Sequence, residues 1–413
     1  MTNEIAIRKD RLWDSIQTLG RIGETDDGAM MRVTGSDADR RARDRVVEWF
    51  RAADMDVAVD PVGNVVARRA GRVDAPPVVT GSHIDTVPAG GKFDGTVGVL
   101  GPLEIVRAWN AAGLETDRPI HVVVFTEEEG TRFGTGLLGS LVATGRLRTD
   151  DALALEDEDG VTLAETLREM GYDGRADLGL SDAAAFIEMH VEQGPVLDRS
   201  DTAVGVVETV AGITHHRVTF EGEADHAGNT PMEMRRDAYA GAAEFTLELE
   251  RTARRHAETS NTVGTVGKST VAPNGTNVIP GRVDLGVDIR DTDGEHLRDA
   301  VSSAKDRARE IASRRELDCR WRSLLDVSPT AMSPEIIRRL IGAVRDSGYD
   351  YRRMLSGAGH DAMNVAAVAP TGLLFVPSRD GVSHSPAEYT SPEDLYAGTR
   401  VLEAALRDLA TSE

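Results

Sequence analysis

The sequence predicts an α/β fold in which a mostly parallel sheet forms one domain and an inserted α+β domain interrupts it. In the outer parts of the chain, short continuous apolar runs alternate with helical patterns, which is typical of strands buried on both faces of a parallel sheet. The middle part instead alternates apolar and polar residues, as half-exposed antiparallel strands do. A chain of 413 residues is too long for one ordinary core, so two domains are expected.

The first predicted domain comprises residues 1–211 and 327–413. Its opening segment, residues 1–20, has the pattern of an amphipathic helix. Val97, Leu100, Leu103 and Val106 recur at helix spacing and predict a second helix, and residues 333–346 form another predicted helix. The predicted strands cover residues 78–80, 120–125, 186–189 and 373–376.

The inserted domain is predicted to cover residues 212–326. Alternating patterns predict strands at residues 217–220, 262–267 and 283–289. Two long helical patterns, residues 236–256 and 294–314, lie between or after them. One face of this sheet is therefore expected to be solvated.

Composition excludes several classes of function. The net charge of −22 argues against binding a nucleic-acid backbone, and no apolar run approaches the roughly 20 residues of a membrane span. Because nothing near the N-terminus resembles a secretory signal, we expect a soluble, cytoplasmic protein with no nucleic-acid or membrane partner. The single cysteine, Cys319, excludes an internal disulfide framework and thiolate metal chemistry.

The acidic surface has two interpretations. Only four of the 47 basic residues are lysines, and acidic residues are spread over most of the chain. This pattern is typical of halophilic proteins, which are adapted to high salt. At high salt, the repulsion between acidic side chains is screened to within a few ångströms. The alternative is an ordinary acidic protein from a GC-rich genome that favours arginine.

Five side chains carry the functional prediction: His83, Asp94, Glu129, His190 and His384. Most of them follow the predicted strands closely, and ligands of open α/β sheets bind beyond the carboxyl ends of the strands. One carboxylate can bridge two divalent ions while histidine and glutamate complete each shell, and such a pair can activate a water. The sequence therefore predicts a two-metal hydrolase site.

The chain resembles the dinuclear metal amidases of the hydantoinase/carbamoylase type, which include N-carbamoyl-L-amino-acid hydrolase, allantoate amidohydrolase and β-ureidopropionase. This group lies within the wider aminoacylase and carboxypeptidase-G-like peptidase family. The resemblance covers nearly the whole chain and implies a metallopeptidase-like catalytic domain. It rests on Gly81-Ser82-His83-Ile84-Asp85-Thr86-Val87, Glu127-Glu128-Glu129-Gly130-Thr131-Arg132-Phe133, His190-Val191-Glu192-Gln193-Gly194-Pro195, His226-Ala227-Gly228-Asn229-Thr230-Pro231-Met232, Thr276-Asn277-Val278-Ile279-Pro280-Gly281, Gly359-His360-Asp361-Ala362 and Ser383-His384.

The resemblance implies a role for each candidate ligand. Asp94 would bridge the two ions, with His83 and His190 completing one shell and Glu129 and His384 the other. Asp85, two residues after His83, is placed to orient that imidazole. Glu128 would be the general base beside the water, whereas Glu127 is expected to be a solvated acid.

Substrate contacts are expected mainly from the inserted domain. Arg290 suits bidentate capture of a substrate carboxylate, and Asn277 would assist it. The resemblance implies that Gln193 contacts the ureido group and that His226 of the partner subunit polarises the carbonyl. Two alternatives stay open: Arg290 could form an ion pair with Asp288 or Asp291, and Asn277 could serve the turn before Pro280.

Asp225 and Asn229 flank His226 and depart from the usual pattern of the family, which leaves substrate preference open. An acidic Asp225 could raise the pKa of His226, or could belong to the acidic surface.

The predicted function is cleavage of the carbamoyl or ureido carbon–nitrogen bond of a small carboxylate-bearing substrate, an N-carbamoyl-L-amino acid or allantoate, with release of ammonia and carbon dioxide. Two divalent ions per subunit are expected, zinc or manganese, with cobalt and nickel also suited to these ligands. The resemblance implies a homodimer, with the inserted domain as a dimerisation or lid domain. The alternatives are an aminoacylase or dipeptidase of the wider family and a non-catalytic, metal-stabilised binding protein.

Overall fold

The computed structural model describes residues 5–411 and divides the chain into two compact units. The first unit extends to Glu208 and also contains Ala331–Met354 and the chain from His360 onward. The second contains Thr209–Thr330 and Leu355–Gly359.

The described residues form strands and helices with the following bounds. The strands are β1 Asp56–Val59, β2 Val65–Arg69, β3 Val78–His83, β4 Ile120–Phe125, β5 Ala185–Val191, β6 Val204–Val210, β7 Gly212–Glu221, β8 Val263–Ala272, β9 Arg282–Asp291, β10 Asp318–Val327, β11 Thr330–Ala331, β12 Tyr351–Ser356 and β13 Thr371–Val376. The helices are α1 Lys9–Gly20, α2 Asp37–Ala52, α3 Thr96–Ala112, α4 Leu138–Ala143, α5 Thr149–Leu153, α6 Leu163–Met170, α7 Val196–Ser200, α8 Ala238–His256, α9 Gly294–Arg314, α10 Pro334–Ser347, α11 Asp361–Val365 and α12 Pro392–Thr411.

The sheet of the first unit has a parallel centre. Its strand order is β1-β2-β4-β3-β5-β13-β6-β11, with β12 paired to β6. Strands β4, β3, β5 and β13 run parallel to one another, and β3, β5 and β13 are buried along their whole length. Burial on both faces explains their continuous apolar runs. The predicted α/β fold with a mostly parallel central sheet is confirmed.

Antiparallel strands flank this centre, and the sequence analysis did not find them. β1 and β2 pair antiparallel with each other, β2 with β4, and β6 with β13. β1 is exposed or half-buried throughout, and β2 ends in two half-buried arginines, Arg68 and Arg69. Their sequences therefore lack the continuous apolar signal of a central strand.

The first helix is shorter than predicted. It begins at Lys9 instead of near residue 1, since residues 5–8 are not helical, and residues 1–4 lie outside the described part of the chain. Glu104 of α3 holds this helix: its carboxylate accepts hydrogen bonds from the backbone N–H of Arg8 and from the Arg11 guanidinium, at 2.7–2.9 Å. Helix α3 is itself almost entirely buried and packs on β3 and α12.

The second unit is a four-stranded antiparallel sheet with strand order β10-β7-β9-β8 and two long helices, α8 and α9. Alternate residues of β9 are buried, including Val283 and Leu285, and they pack with Phe220 and Phe245 in the core of this unit. Strands β8 and β10 are mostly exposed. Within residues 5–411, no helix is both long and apolar enough to cross a membrane.

Candidate metal centre

The parallel centre of the sheet brings the candidate ligands to one edge. His83 is the last residue of β3, His190 lies one residue before the end of β5, and the three glutamates 127–129 begin two residues after β4. Asp94 lies in the loop between β3 and α3, and His384 follows β13 in a loop. Because these four strands are parallel neighbours, their carboxyl ends share one edge of the sheet.

Asp94 is at the centre of this cluster, and its two oxygens face different histidines. Oδ1 lies 3.0 Å from Nε2 of His190 and 3.5 Å from Nε2 of His83. Oδ2 lies 3.3 Å from Nε2 of His384, which is also 3.4 Å from Oε2 of Glu129. The structure thus brings together all five predicted ligands, with one group of side chains on each side of Asp94.

The histidine orientations fit metal binding. Nδ1 of His83 lies 3.0 Å from the carbonyl oxygen of Asp85, and Nδ1 of His190 lies 3.0 Å from that of Val191. Donating Nδ1–H to a carbonyl leaves the Nε2 lone pair directed at the carboxylates, an arrangement that is common for metal-ligating histidines. Nε2 of His83 is buried and has no hydrogen-bond partner among the described residues. The donor set therefore fits divalent cations between the imidazoles and carboxylates.

The Asp85 carboxylate lies near the predicted position but is not the nearest acceptor of His83. Its Oδ1 is 3.6 Å from Nδ1 of His83, farther than the backbone oxygen of the same residue. Its Oδ2 accepts a hydrogen bond from the backbone N–H of Glu129 at 3.3 Å. Asp85 therefore contacts both a candidate histidine ligand and the backbone of a candidate carboxylate ligand.

Gly95 makes the close approach of these ligands sterically feasible. A Cβ at this position would lie 2.4 Å from the His83 ring, and its φ of +60° is one that glycine adopts without strain. Its N–H points to Nε2 of His190 at 3.2 Å. The Asp94-Gly95 turn can therefore lie directly against two imidazoles.

Burial and mutual contacts shift the ionisation of the cluster. Burial disfavours a charged Asp94, but His190, His384 and His83 outweigh it and hold its pKa well below the ordinary value. Burial also opposes a charged His83, yet Glu128, Asp85 and Asp94 raise its pKa well above the ordinary value. Burial and then Asp94 raise the pKa of Glu129 to about 7.

The three consecutive glutamates have different surroundings. Oε2 of Glu128 lies 3.6 Å from Nε2 of His83, and burial raises the pKa of Glu128 well above its ordinary value. The expectation that Glu127 is a solvated acid is wrong. Glu127 is fully buried, and its Oε1 accepts hydrogen bonds of 2.8 Å from the backbone N–H groups of Arg132 and Phe133. Its carboxylate thus organises the loop that follows.

Gln193 reaches the cluster from the loop after β5. Its Nε2 donates to Oδ2 of Asp94 at 2.7 Å and lies 3.4 Å from Nε2 of His384. Its Oε1 is buried and has no partner in the described part of the chain, so this oxygen is available as an acceptor.

Four further side chains lie at the cluster without a role assigned to them from the sequence, although Ser383 and His360 belong to motifs that carry the resemblance. Glu388 and Ser383 both contact the Asp94 segment, and burial followed by Asp94 raises the pKa of Glu388 to about 7. Glu188 accepts hydrogen bonds from Ser82 Oγ and the Ala362 N–H, at 2.7 and 2.8 Å. The His360 ring lies 4.6 Å from the His190 ring, between their centroids. Little in the sequence indicates Glu388, which appears there only as a single acidic residue four positions after His384.

Among residues 5–411, four sets of His, Asp and Glu side chains have ligand atoms close enough, within 4.8 Å, to share an ion. They are His83-Asp94-His190, His83-Glu128-Glu129, Asp94-Glu129-His384 and Glu188-His190-His360. The first three contain all five predicted ligands and Glu128.

Arg290, in the second unit, forms the ion pair that the sequence left as an alternative. Its Nε and Nη2 donate to the Asp288 carboxylate at 2.8–3.2 Å, and Nη1 donates to the Gly357 oxygen at 2.7 Å. His215 lies 3.1 Å from the same carboxylate. These contacts use one N–H on each of three nitrogens, which leaves two of the five guanidinium N–H groups for a ligand.

Asn277 and His226 lie on neighbouring segments of the second unit. The backbone oxygen of Asn277 accepts from the Ala227 N–H at 2.9 Å, and Val278 forms a bridge with His226. His226 is exposed, and its Nδ1 accepts hydrogen bonds from the N–H groups of Gly228 and Asn229. Asp225 accepts from the His226 backbone N–H at 2.7 Å.

Comparison with known protein families assigns the chain to a family. A family model described as peptidase family M20/M25/M40 matches residues 79–408. The chain belongs to peptidase family M20/M25/M40. Enzymes of family M20 are metal-dependent, in agreement with the donor cluster.

Relatives of this M20 chain match it along nearly its whole length, which confirms the resemblance seen in the motifs. N-carbamoyl-L-amino acid amidohydrolase of Geobacillus stearothermophilus is 40% identical, covering 98% of this chain and 100% of that protein. Allantoate amidohydrolase of Bacillus subtilis is 35% identical, covering 97% and 98%. A solved structure, an amidase of the hydantoinase/carbamoylase family from Burkholderia multivorans, is 41% identical with a TM-score of 0.93, covering 99% of both chains.

Proposed function

We propose that the protein is a metal-dependent amidohydrolase that cleaves the carbamoyl or ureido carbon–nitrogen bond of a small carboxylate-bearing substrate. The observation that supports this most directly is the cluster of imidazoles and carboxylates around the buried Asp94, with Glu128 beside it. The full-length similarity to N-carbamoyl-L-amino acid and allantoate amidohydrolases supports the substrate class.

Two divalent ions per subunit suit this donor set. His83 and His190 would hold one ion with Oδ1 of Asp94, while Glu129 and His384 would hold the other with Oδ2. Zinc and manganese fit these imidazole and carboxylate ligands, as do cobalt and nickel. Such ions, when bound, polarise a carbonyl and lower the pKa of a water.

Glu128 is the proposed general base and acid. Its carboxylate lies at the cluster, although neither of the two proposed ion sites, His83-Asp94-His190 and Asp94-Glu129-His384, includes it. Its raised pKa suits a group that accepts a proton and later gives it to the leaving nitrogen. A pure metal-binding scaffold has no need of such a group, so this placement favours an enzyme.

The proposed substrate contacts are Gln193, Arg290, Asn277 and His226. The unpaired Oε1 of Gln193 would accept an N–H of the ureido group. Arg290 would hold the substrate carboxylate with its two remaining N–H groups, and Asn277 would assist it. His226 would stabilise the oxyanion from the partner subunit of a homodimer, which we propose as the active assembly in the cytoplasm.

Turnover by metal-reconstituted protein tests this function. Metal-stripped protein, reloaded with zinc or manganese, is assayed for ammonia release from N-carbamoyl-L-amino acids and allantoate, and for free amine from matched N-acetyl-amino acids. We expect turnover of ureido substrates only. N-carbamoyl-L-amino acids should be preferred, because the relative named N-carbamoyl-L-amino acid amidohydrolase is 40% identical to this chain and the relative named allantoate amidohydrolase is 35% identical. Cleavage of the acetyl compounds would indicate an aminoacylase, and no turnover with both ions bound would indicate a binding protein.

A further inference from the structure

Glu388 is a buried carboxylate that contacts the Asp94 loop from the C-terminal part of the chain. It is 5% exposed, and its Oε1 accepts hydrogen bonds from the backbone N–H groups of Phe93 and Asp94, at 2.7 and 3.0 Å. Its Oε2 lies 3.0 Å from Ser383 Oγ. Glu388 and Asp94 are 294 positions apart, so this contact exists only in the folded chain.

Ser383 extends the contact to the Asp94 side chain. Its Oγ donates to Oδ2 of Asp94 at 2.6 Å, and the next residue is His384. Glu388 thus fixes the backbone of Asp94 directly and its carboxylate through Ser383. The same two side chains tie the loop of Asp94 to the loop of His384.

Gly91 provides the space that Glu388 occupies. A Cβ on Gly91 would lie 2.3 Å from Cδ of Glu388 and 2.4–2.5 Å from both of its oxygens. Gly91 is not among the residues with positive φ, so alanine suits its backbone conformation. Alanine at this position would displace the Glu388 carboxylate without removing it.

The contact through Ser383 involves only one oxygen of the Asp94 carboxylate. Ser383, Gln193 and His384 all meet Oδ2, whereas His83 and His190 meet Oδ1. We propose that Glu388 is a positioning residue for Asp94, and that it controls the affinity of the ion held on the Oδ2 side by Asp94, Glu129 and His384. This assignment rests on the two-ion site of the proposed function.

Loss of a side chain that orients a metal ligand typically costs 10- to 100-fold in metal affinity. We therefore expect Glu388→Ala and Gly91→Ala each to weaken the Oδ2-side ion by about 10- to 100-fold, with a much smaller effect on the other ion. Glu388→Gln should bind it within a few-fold of wild type. Its amide oxygen can accept both N–H groups, and its NH₂ can donate to Ser383, whose own proton stays with Asp94.

The experiment measures the two stepwise affinities for Zn²⁺ and Mn²⁺ in the full-length protein, by competition with chelators and by titration calorimetry. The matched control is Glu104→Ala, which removes a buried carboxylate of the same unit that holds α1 and contacts no candidate ligand. This control should lose stability but keep both affinities. Circular dichroism verifies that each variant is folded.

Weakening of one ion in Glu388→Ala and Gly91→Ala, with rescue in Glu388→Gln, would establish the assignment. Unchanged affinities, equal weakening of both ions, binding of fewer than two ions by wild type, or a Glu388→Gln protein as weak as Glu388→Ala would overturn it. A Glu388→Ala or Gly91→Ala protein that fails to fold leaves the decision to the other variant and Glu388→Gln. Failure of the proposed function is distinguishable, because two-ion binding without ureido cleavage refutes that function and leaves the role of Glu388 intact.

Discussion

Glu128 and Glu127 are adjacent, yet the half-buried carboxylate of Glu128 and the buried carboxylate of Glu127 contact different partners. Glu128 faces His83 and the candidate ligands, whereas Glu127 turns away and accepts two backbone N–H groups of the following loop. Glu128 is therefore the proposed general base, whereas the adjacent Glu127 stabilises the loop that follows.

Replacing Glu128 with glutamine should abolish most turnover while the ions stay bound. The amide cannot accept and return a proton, so we expect kcat to fall by about 10²- to 10⁴-fold. The measurement is kcat on the best ureido substrate together with metal content by mass spectrometry. Glu127→Gln is the matched control, since its amide oxygen still accepts both N–H groups. Equal losses in the two variants would argue against Glu128 as the base.

Replacing Arg290 with lysine should raise KM with little change in kcat. Lysine keeps the charge but loses the planar fork, and we expect KM to rise about 10- to 100-fold for a carboxylate substrate. Arg282→Lys is the control, because Arg282 lies on the same strand and is also paired with carboxylates. A substrate in which the carboxylate is replaced by an amide should show no difference between wild type and Arg290→Lys. A large difference there would contradict the anchoring role.

At the level of elements, strand β4 contains His121, which is difficult to protonate in the folded chain. Burial, followed by the charge of Arg68, lowers the pKa of His121 to about 4. Below pH 6.5 the unfolded chain binds a proton that the folded chain accepts only near pH 4. The contribution of His121 to stability is therefore lost as the pH falls through this window.

Replacing His121 should make stability less sensitive to acid. Between pH 7 and pH 5, the free energy of unfolding of wild type should fall by about 1–2 kcal/mol more than that of His121→Gln. Urea unfolding at both pH values measures this difference. His121→Phe should reduce the pH dependence by the same amount, because it also removes the titrating group. If both variants keep the pH dependence of wild type, the histidine is not responsible.

At the level of the whole molecule, the two units should respond differently to metal removal. All five candidate ligands belong to the first unit, so ions bound there stabilise its folded state by mass action, by about 2.7 kcal/mol at 100 times Kd. Chelation should therefore increase hydrogen exchange in peptides that contain the ends of β3 and β5. Peptides from β8, in the second unit, should change little. Equal increases in both units would contradict a site confined to the first.

A second prediction for the whole molecule concerns the effect of salt on stability and follows from the net charge of −22. If the acidic surface is an adaptation to high salt, KCl should screen the repulsion between acidic side chains. The urea concentration at the midpoint of unfolding should then rise between about 0.1 and 2 M KCl. Repeating the titration in sucrose controls for effects of solute exclusion. A midpoint that does not change with KCl would favour the alternative of an ordinary acidic protein with an arginine-rich composition.

Three features were predictable from the sequence: the α/β fold, the buried parallel strands and the five side chains that meet at the ends of these strands. Their signals are local, since a strand buried on both faces needs a continuous apolar run and His83 or His190 follows such a run directly. Three other features became visible only in the folded chain: the burial of Glu127, the pairing of Arg290 with Asp288 and the contact of Glu388 with Asp94. These depend on which distant backbone groups and charges come to lie beside a side chain. Glu388 contacts Asp94, which lies 294 positions away in the sequence, and no local sequence pattern predicts that contact.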